Sequence, residues 1–419
     1  MEKAPLFLDF REKILAFFVL FSLFCLSLGW QYHRYSSLTS KPLHVEVVKV
    51  LNHYVKHKRN GRAYDVFKLK SKDGYSFYTV TWRSKNIPIG SYARIKFKTD
   101  KISFFGYLKN FFAVNIFIKQ IKSKKETLGK VESYIKDQHK TEDLKEIFSA
   151  LFLATNIQKS TRQKIQKLGI SHLVAISGFH LGLISAILYL LISPVYRLFQ
   201  DRFFPYRNAK ADLAFVVFAI LFGYMYILDF SPSFLRSFVL SLFGFFLFSR
   251  HIKVISFATL FLSVGFILIM FPRLIFSVSF WFSVSGVFYI FLFLQHFKNL
   301  SKIWIFILLN FWVFILMMPI VHFVFKVFTP LQLCSPLLSM AFVPFYPIEL
   351  FLHIINHGGL FDIWLGKLLN LPTTTYEILT PLWFLVLYIS LSLFAILNRW
   401  IALFLLFLSL GIYIRYFLL

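Results

Sequence analysis

Long apolar runs recur along the chain, separated by short stretches that contain charged residues, Pro or Gly. About 20 apolar residues can cross a hydrocarbon core as a helix, because a helix bonds all its backbone polar groups internally. The pattern predicts spans at 14–30, 173–193, 211–229, 233–249, 254–271, 274–295, 303–322, 331–352, 378–397 and 400–419. We therefore expect a polytopic α-helical membrane protein with about 9–10 spans.

A different pattern follows the first run. Apolar and polar residues alternate in segments rich in β-branched and aromatic residues, which is typical of strands. These segments are His44–Val50, Tyr64–Lys70, Tyr75–Trp82 and Tyr92–Lys98. Lys72-Asp73-Gly74 predicts a hairpin turn, and Asn60-Gly61 is a second turn signal. The pattern favours a small OB-like β-barrel inserted after the first span.

Three further segments lack a clear spanning pattern. Residues 102–121 are apolar with interspersed lysines and are expected to lie in the membrane interface, as is the segment 353–377. Residues 123–149 are predicted to be helical, polar and basic. The resulting domains are 1–35 (first span), 36–101 (OB-like domain), 102–171 (basic connector) and 172–419 (multi-span domain).

Charge is concentrated before the second span. The formal net charge is +27, and residues 41–101 carry 15 Lys and Arg against 4 Asp and Glu. Anionic lipid headgroups or a polyanion such as nucleic acid would both fit this excess. Strand alternation places Lys68, Lys70 and Lys72 on one face and Lys96 and Lys98 on one face. With Arg83, these residues are the predicted DNA-collecting set.

Cations in short loops predict the orientation. Lys3, Arg11 and Lys13 precede the first span, and basic residues follow the second, fourth and sixth spans. The positive-inside rule then places the N-terminus in the cytoplasm and residues 31–171 outside. Neither a Walker A motif nor Cys or His at zinc-binding spacing occurs in the sequence, so we expect no cofactor and no metal.

Polar residues interrupt the second apolar run. His172, Ser177, Gly178, His180 and Gly182 fall within eleven residues. Polar groups within spans tend to face a bundle interior or a watery path. Gly178 and Gly182 share a helix face and are expected to allow close packing, and Ser177 can contact His180. The alternative is a purely structural role, in which two helices cross tightly and the Ser and His side chains bond backbone carbonyls.

The segment Gly169-Ile-Ser-His-Leu-Val-Ala-Ile-Ser-Gly-Phe-His-Leu-Gly182 resembles the signature of the ComEC competence channels. Ser231-Pro-Ser-Phe-Leu-Arg236 and Phe271-Pro-Arg-Leu-Ile-Phe-Ser-Val-Ser-Phe280 resemble two later elements of that family, in the same order. Ser335-Pro336 resembles a third, but the Asn that often follows it in the family is missing from Ser339-Met340-Ala341.

The resemblance implies passage of single-stranded DNA through the bacterial cytoplasmic (inner) membrane during natural transformation. It also implies a periplasmic DNA receptor and a cytoplasmic ATP-driven translocase as partners. Many members add a metallo-β-lactamase-like domain, whose His-x-His-x-Asp-His motif does not occur here, so we expect no nuclease chemistry of that type. The predicted residues of the DNA path are His172, Ser177, Gly178, His180, Gly182, Ser231, Arg236 and Ser279.

Arg236 can also be explained without a role in transport, as a side chain that extends to the membrane interface or pairs with Asp229. Two rival functions remain at this stage. One is an intramembrane serine hydrolase that uses Ser177 with His180 or His172. The other is a lipid-handling membrane protein whose basic region binds headgroups. We expect a transport protein rather than an enzyme, because no separate orienting acid or oxyanion donor is evident.

Overall fold

The computed structural model describes residues 6–7, 9–57, 62–82, 87–122, 126–228 and 230–418. The chain divides into two compact units. The sheet unit comprises Phe7–Ser133 and Val264–Phe280. The helical unit comprises Met1–Leu6, Tyr134–Ser263 and Trp281–Leu419.

The sheet unit begins with one long helix and then four strands. Helix α1 (Phe10–Thr39) contains the first predicted span and continues nine residues beyond it. The four predicted strands are confirmed as β1 (Leu43–His57), β2 (Ala63–Ser71), β3 (Ser76–Thr81) and β4 (Tyr92–Lys98). The hairpin turn at Lys72-Asp73-Gly74 is also confirmed, with Gly74 at φ +85°, where a side chain would be strained. The Asn60-Gly61 turn lies outside the described residues.

Residues 102–121 do not form one interfacial segment. They form the short helix α2 (Phe104–Lys109), the strand β5 (Phe111–Phe112) and most of β6 (Asn115–Lys122). Strand β6 pairs antiparallel with β4, with Ile118 opposite Ile95, and both side chains are buried. Of the lysines that made this segment look amphipathic, Lys109 ends α2 and Lys119 lies on the exposed side of β6. Alternation with a period of two along a strand explains the second as well as an amphipathic helix would.

The sheet has six strands in the order β5–β3–β2–β1–β4–β6. The predicted barrel is wrong in this respect, because no described ladder joins β3 to β6. The Asn115 side chain, at the start of β6, donates to Thr79 Oγ1 and to the carbonyl of Val80 (both 2.8 Å). The two ends of the sheet therefore approach at one point without closing.

The core of the sheet unit is aromatic, with Phe67, Phe77 and Phe97 fully buried. Arg273 packs at one end of this core. Its guanidinium lies 4.5 Å from the centre of the Tyr107 ring and donates to Gln31 Oε1 at 3.0 Å. Cation–π and hydrogen-bond contacts of this kind offset the cost of burying the charge. Arg273 thus connects the segment between two later apolar helices to α1 and α2 within this unit.

The helices after the sheet are amphipathic at first and then apolar. Most of their residues belong to the helical unit, but the helical residues 126–133, 264–270 and 278–280 belong to the sheet unit. The amphipathic helices are α3 (Glu126–Asp137), α4 (Glu142–Leu153) and α5 (Lys159–Lys167), which confirms the helical prediction for 123–149. The four-residue helix α6 (Ser171–Val174) follows. The apolar helices are α7 (Gly178–Phe203), α8 (Ala209–Ile227), α9 (Pro232–Ser249), α10 (Phe257–Met270), α11 (Val278–Phe297), α12 (Lys302–Val324), α13 (Ser335–Ile354), α15 (Leu382–Phe394) and α16 (Arg399–Leu418), with α14 (Asp362–Leu369) between α13 and α15.

The predicted multi-pass character is confirmed, but the number of spans is confirmed only in part. Among the described residues, six helical segments are long and apolar enough to cross a bilayer: Phe10–Thr39, Gly178–Phe203, Ala209–Ile227, Val278–Phe297, Lys302–Val324 and Pro330–Ile354. Four shorter apolar helices, Ser233–Ser249, Phe257–Met270, Leu382–Phe394 and Arg399–Gly411, account for the other predicted spans. At 1.5 Å rise per residue, a helix of about 14 residues reaches only about 21 Å.

The last two predicted spans form two separate helices, and both pack against α12. Both α15 and α16 contact α12 and each other, and the turn 395–398 separates them. Buried hydroxyls join the group, since Tyr388 donates to the carbonyl of Leu316 at 3.0 Å and lies 2.9 Å from Ser409 Oγ. In the segment 353–377, α14 is followed by β8 (Tyr376–Glu377), which pairs with β7 (Val327–Phe328).

Candidate functional site

The second predicted span is interrupted at the motif. Helix α6 ends at Val174, and α7 begins only at Gly178, because Ser177 is extended (φ −134°, ψ 179°). The backbone N–H of Ser177 donates to His180 Nδ1 at 3.2 Å, and the Ser177 hydroxyl lies 3.1 Å from the same nitrogen. A side chain three residues into a helix that bonds the cap residue is the geometry of a capping box. We call this break and its neighbours the polar junction.

His180 is buried in the polar junction. Because Nδ1 accepts the N–H of Ser177, the proton of a neutral ring lies on Nε2. Nε2 has no hydrogen bond of good geometry in the described part of the chain, although the backbone of Leu173 lies near enough to interact with the ring. The rings of Phe342 and Tyr346 on α13 pack edge-to-face against the imidazole.

This arrangement does not suit a serine nucleophile. The base nitrogen of His180 already accepts a backbone N–H, and its other nitrogen faces aromatic rings rather than a carboxylate. A Ser–His pair normally needs a third group that orients the imidazole. No described residue supplies such a group at Nε2.

His172 belongs to the same junction through α13. Its Nδ1 donates to the carbonyl of Gly169 at 3.1 Å, and its Nε2 accepts from the hydroxyl of Ser339 at 3.1 Å. Ser339 therefore contributes a polar contact in the region where the sequence lacks the Asn of the resembling family. Ser335 donates to the carbonyl of Gly169, whose φ of +69° favours glycine.

The two motif glycines differ in their surroundings. A Cβ built on Gly178 would lie 3.3 Å from Ser237 Oγ on α9, so this residue permits close approach of α7 and α9. A Cβ on Gly182 would meet nothing within 4 Å. The prediction of close packing is therefore correct for Gly178 and wrong for Gly182.

Helix α9 brings hydroxyls and one cation to the junction. Ser233, Ser237 and Ser241 are spaced by four residues on one face, and each later hydroxyl donates to the carbonyl of the serine before it. Ser231 precedes the helix, with its hydroxyl 3.4 Å from that of Ser233. Arg236 is 9% exposed, so it does not extend to the surface of the unit as an interfacial side chain would. Its proposed partner Asp229 lies outside the described residues.

Four of the eight predicted path residues meet at the junction. His172 and His180 contact α13, Gly178 approaches α9, and Ser177 bonds His180. Ser279 instead belongs to the sheet unit, where its hydroxyl lies 3.2 Å from that of Ser277. Sequence reasoning missed Ser237, Ser339, Phe342 and Tyr346. They lie far from the motif along the chain, and nothing in their local sequence marks them.

The second feature is the outer face of the sheet in the sheet unit. Direct cross-strand neighbours point to the same side of a sheet. Lys70 is opposite Lys49 on β1, and Lys49 is also opposite Tyr92 on β4. The two predicted lysine sets therefore share one face. Its cations are Lys49, Lys56, Lys68, Lys70, Arg94, Lys96, Lys98 and Lys119.

Aromatic rings lie between these cations. Lys68 Nζ is 5.7 Å from the centre of the Tyr78 ring, and partial burial lowers the pKa of Lys68. Tyr64 and Trp82 have ring centres 5.4 Å apart, and Trp82 is 59% exposed. Rings among cations provide stacking surfaces for bases as well as charge for phosphates.

The outer face is also free of acidic side chains within the described strands. Glu46 points to the opposite side, where it accepts the hydroxyls of Ser71 and Tyr75. Asp65 also points to the opposite side, where its Oδ1 lies 2.9 Å from His53 Nε2. Lys72 is exposed in the hairpin turn beside this face, and Arg83 lies outside the described residues.

The polar junction lies within the part of the chain that matches a known protein family. Residues 154–419 match the family described as Competence protein. Recombination protein 2 of Haemophilus influenzae is 36% identical over 136 residues. These residues cover 31% of this chain and only 16% of that protein. No solved structure matches the chain.

The family match covers more than half of the chain and includes the helix break, α9 and α13. It agrees with the resemblance read from the motif at Gly169–Gly182. This chain belongs to the competence protein family.

Proposed function

We propose that this chain passes single-stranded DNA across the bacterial cytoplasmic membrane during DNA uptake for competence. The observation that carries the proposal is the interruption of an apolar helix at Ser177, where polar side chains of α6, α7, α9 and α13 converge. Broken helices at membrane depth are tolerated where they line a cavity or are enclosed by protein. Family membership supports the same function.

A DNA strand carries one charge per nucleotide and needs a hydrated route with cations. Arg236 would supply a charge to the route, and the hydroxyls of Ser233, Ser237 and Ser241 would replace water around the strand. His172 and His180 would present neutral imidazoles. The outer face of the sheet would bind the strand by charge and by stacking before it enters, in the manner of an OB-like domain.

The proposal includes an orientation and partners. The N-terminus would lie in the cytoplasm and the sheet unit outside, so a periplasmic receptor could deliver DNA to the outer face. Transport in one direction needs an energy source, which we assign to a cytoplasmic ATP-driven translocase. The membrane lipid is the remaining partner of the apolar helices.

Replacing Ser177 with Ala tests this function against hydrolysis. The variant keeps the backbone N–H that bonds His180, so we expect DNA uptake to fall by less than about tenfold, the loss of roughly one hydrogen bond. A hydrolase would lose about 10⁴-fold or more of its turnover with its nucleophile. The measurement is entry of fluorescent DNA into the cytoplasm, compared among wild-type, Ser177→Ala and deletion cells.

Ser185→Ala is the matched control, because that hydroxyl bonds only the carbonyl of Leu181 in its own helix. It should leave uptake unchanged. Wild-type levels of uptake in the deletion cells would rule out the proposed function, and loss of all uptake in Ser177→Ala at normal membrane levels would favour the hydrolase.

A further inference from the structure

A buried row of titratable side chains lies in the helical unit, apart from the polar junction. His139, between α3 and α4, has Nδ1 2.8 Å from Asp362 Oδ1. Its Nε2 is 3.0 Å from Nε2 of His353, near the end of α13. His353 Nδ1 in turn lies 2.7 Å from the carbonyl oxygen of Glu349 and 3.2 Å from its Oε2. The exposed fractions of these four side chains are 0–5%.

The distances require one proton more than an ionised Asp362 and two neutral imidazoles supply. Both ends of the row are acceptors, the carboxylate of Asp362 and the carbonyl of Glu349. Three hydrogen bonds therefore need three protons, one each at Asp362–His139, His139–His353 and His353–Glu349. Two neutral imidazoles carry only two N–H groups. The row consequently holds one additional proton.

Charges around the row favour this proton. Glu349 is fully buried, and neither carboxylate oxygen has a hydrogen-bond donor among the described residues, so a cation at His353 compensates it. His353 also lies in the last turn of α13, where the helix dipole stabilises positive charge. Burial lowers the pKa of His139, which leaves His353 as the carrier.

The remaining neighbours do not supply the missing proton. Tyr134 donates its hydroxyl to the carbonyl of His353 at 2.9 Å, and the backbone N–H of Lys140 donates to Asp362 Oδ2 at 2.9 Å. The rings of Phe148 and Phe152 on α4 cover the two imidazoles. His357 faces away and bonds the carbonyl of Ile355.

Two glycines just before α14 let the backbone pack closely against the row. A Cβ on Gly358 would lie 2.7 Å from the His353 ring, and one on Gly359 would collide with the carbonyl of Gln138. The backbone of Gly358 instead donates to Gln138 Oε1 at 2.8 Å. The close approach of this backbone agrees with the very low exposure of the side chains in the row.

We propose that the row Asp362–His139–His353–Glu349 is a proton-binding site whose bound proton locks the amphipathic helices α3 and α4 onto the end of α13. Releasing the proton removes one of the three hydrogen bonds and leaves the buried carboxylate of Glu349 without a nearby cation. Because the bound proton bridges the row, the lock weakens when rising pH removes that proton.

A chain of aromatic contacts connects the row to the polar junction. Phe152 contacts both His353 and Tyr346, and Tyr346 packs on His180. The site is nevertheless defined by its own geometry and does not depend on the proposed transport function.

The test counts histidine cations in the full chain, labelled with ¹⁵N-histidine in lipid nanodiscs at pH 7.5. Among twelve histidines, we expect one doubly protonated imidazole signal in the wild type. Asp362→Asn should abolish this signal, because an Asn amide can donate to His139 and still accept from Lys140, so the row then needs no additional proton. His357→Gln, at the neighbouring exposed histidine, should keep it.

Hydrogen exchange gives a second readout on the same samples. After correction for the intrinsic effect of pH, protection of residues 134–153 should fall at least tenfold between pH 6 and pH 9 in the wild type and should stay constant in Asp362→Asn. No doubly protonated histidine in the wild type at pH 7.5 would overturn the proposal. A signal that persists in Asp362→Asn would overturn it as well, and the wild-type spectrum decides the matter even if this variant fails to fold.

Discussion

Replacing Lys68, Lys70 and Lys96 together with Gln is expected to weaken binding of single-stranded DNA to the full chain by about 30-fold or more near physiological salt. Register places all three on the outer face of the sheet, among aromatic rings and without acidic neighbours in the described strands. Each lost phosphate contact should reduce the slope of log affinity against log salt by about 0.7, hence by about 2 in total. Titration of labelled oligonucleotide against the protein in neutral nanodiscs measures both quantities.

The matched control replaces three exposed lysines outside the sheet, Lys101, Lys109 and Lys159, and so changes the net charge equally. This variant should keep most of the affinity. Comparable losses in both variants would show that net charge, not the outer face, attracts DNA. Unchanged DNA binding with a loss of binding to anionic vesicles would support the lipid-handling alternative.

Arg236→Ala is expected to lower DNA uptake by about 100-fold or more at unchanged membrane levels. Arg236 is buried in the helical unit and lies on α9, the helix that carries the serine row, and burial strengthens the attraction of its charge for phosphate. Raising the transport barrier by about 3 kcal/mol lowers the rate by about two orders of magnitude. Transformation frequency and entry of fluorescent DNA measure the effect.

Arg236→Lys retains the charge and should retain more uptake than the Ala variant, although it loses the planar donors of the guanidinium. Arg250→Ala removes a cation at the opposite, exposed end of the same helix and should have little effect. Full uptake in Arg236→Ala would exclude this side chain from the route.

The sequence predicted well those features that depend on local pattern. The length of the apolar runs located the long apolar helices, and alternation located the first four strands. Burial of a helix or of one strand face sets the length and the period of apolar residues directly. The helix break at Ser177 was missed since Ala175 and Ile176 continue the apolar run. A serine followed three residues later by a hydrogen-bonding side chain was the available signal for a helix start.

Features that depend on pairing could not be predicted in this way. Strand β6 has an ambiguous pattern of apolar residues and lysines, and only its partner β4 decides which side is buried. The two lysine sets share one face of the sheet because Lys49 on β1 is opposite residues of both β2 and β4, and this pairing cannot be read from either set alone. His139, His353 and Asp362 are more than 200 residues apart or on separate helices, so no local signal joins them.

Thiol accessibility tests most directly whether the polar junction walls a hydrated route. With Cys25 and Cys334 replaced by Ser, single cysteines are placed at Ser237, which faces Gly178, and at Leu242, which is exposed on the apolar surface of the same helix. A charged, water-soluble thiol reagent should modify the cysteine at 237 at least tenfold faster than that at 242, and DNA arrested during uptake should slow the first reaction alone. Equal, slow modification at both positions, with rapid modification only by a lipid-soluble reagent, would contradict a hydrated route at the junction.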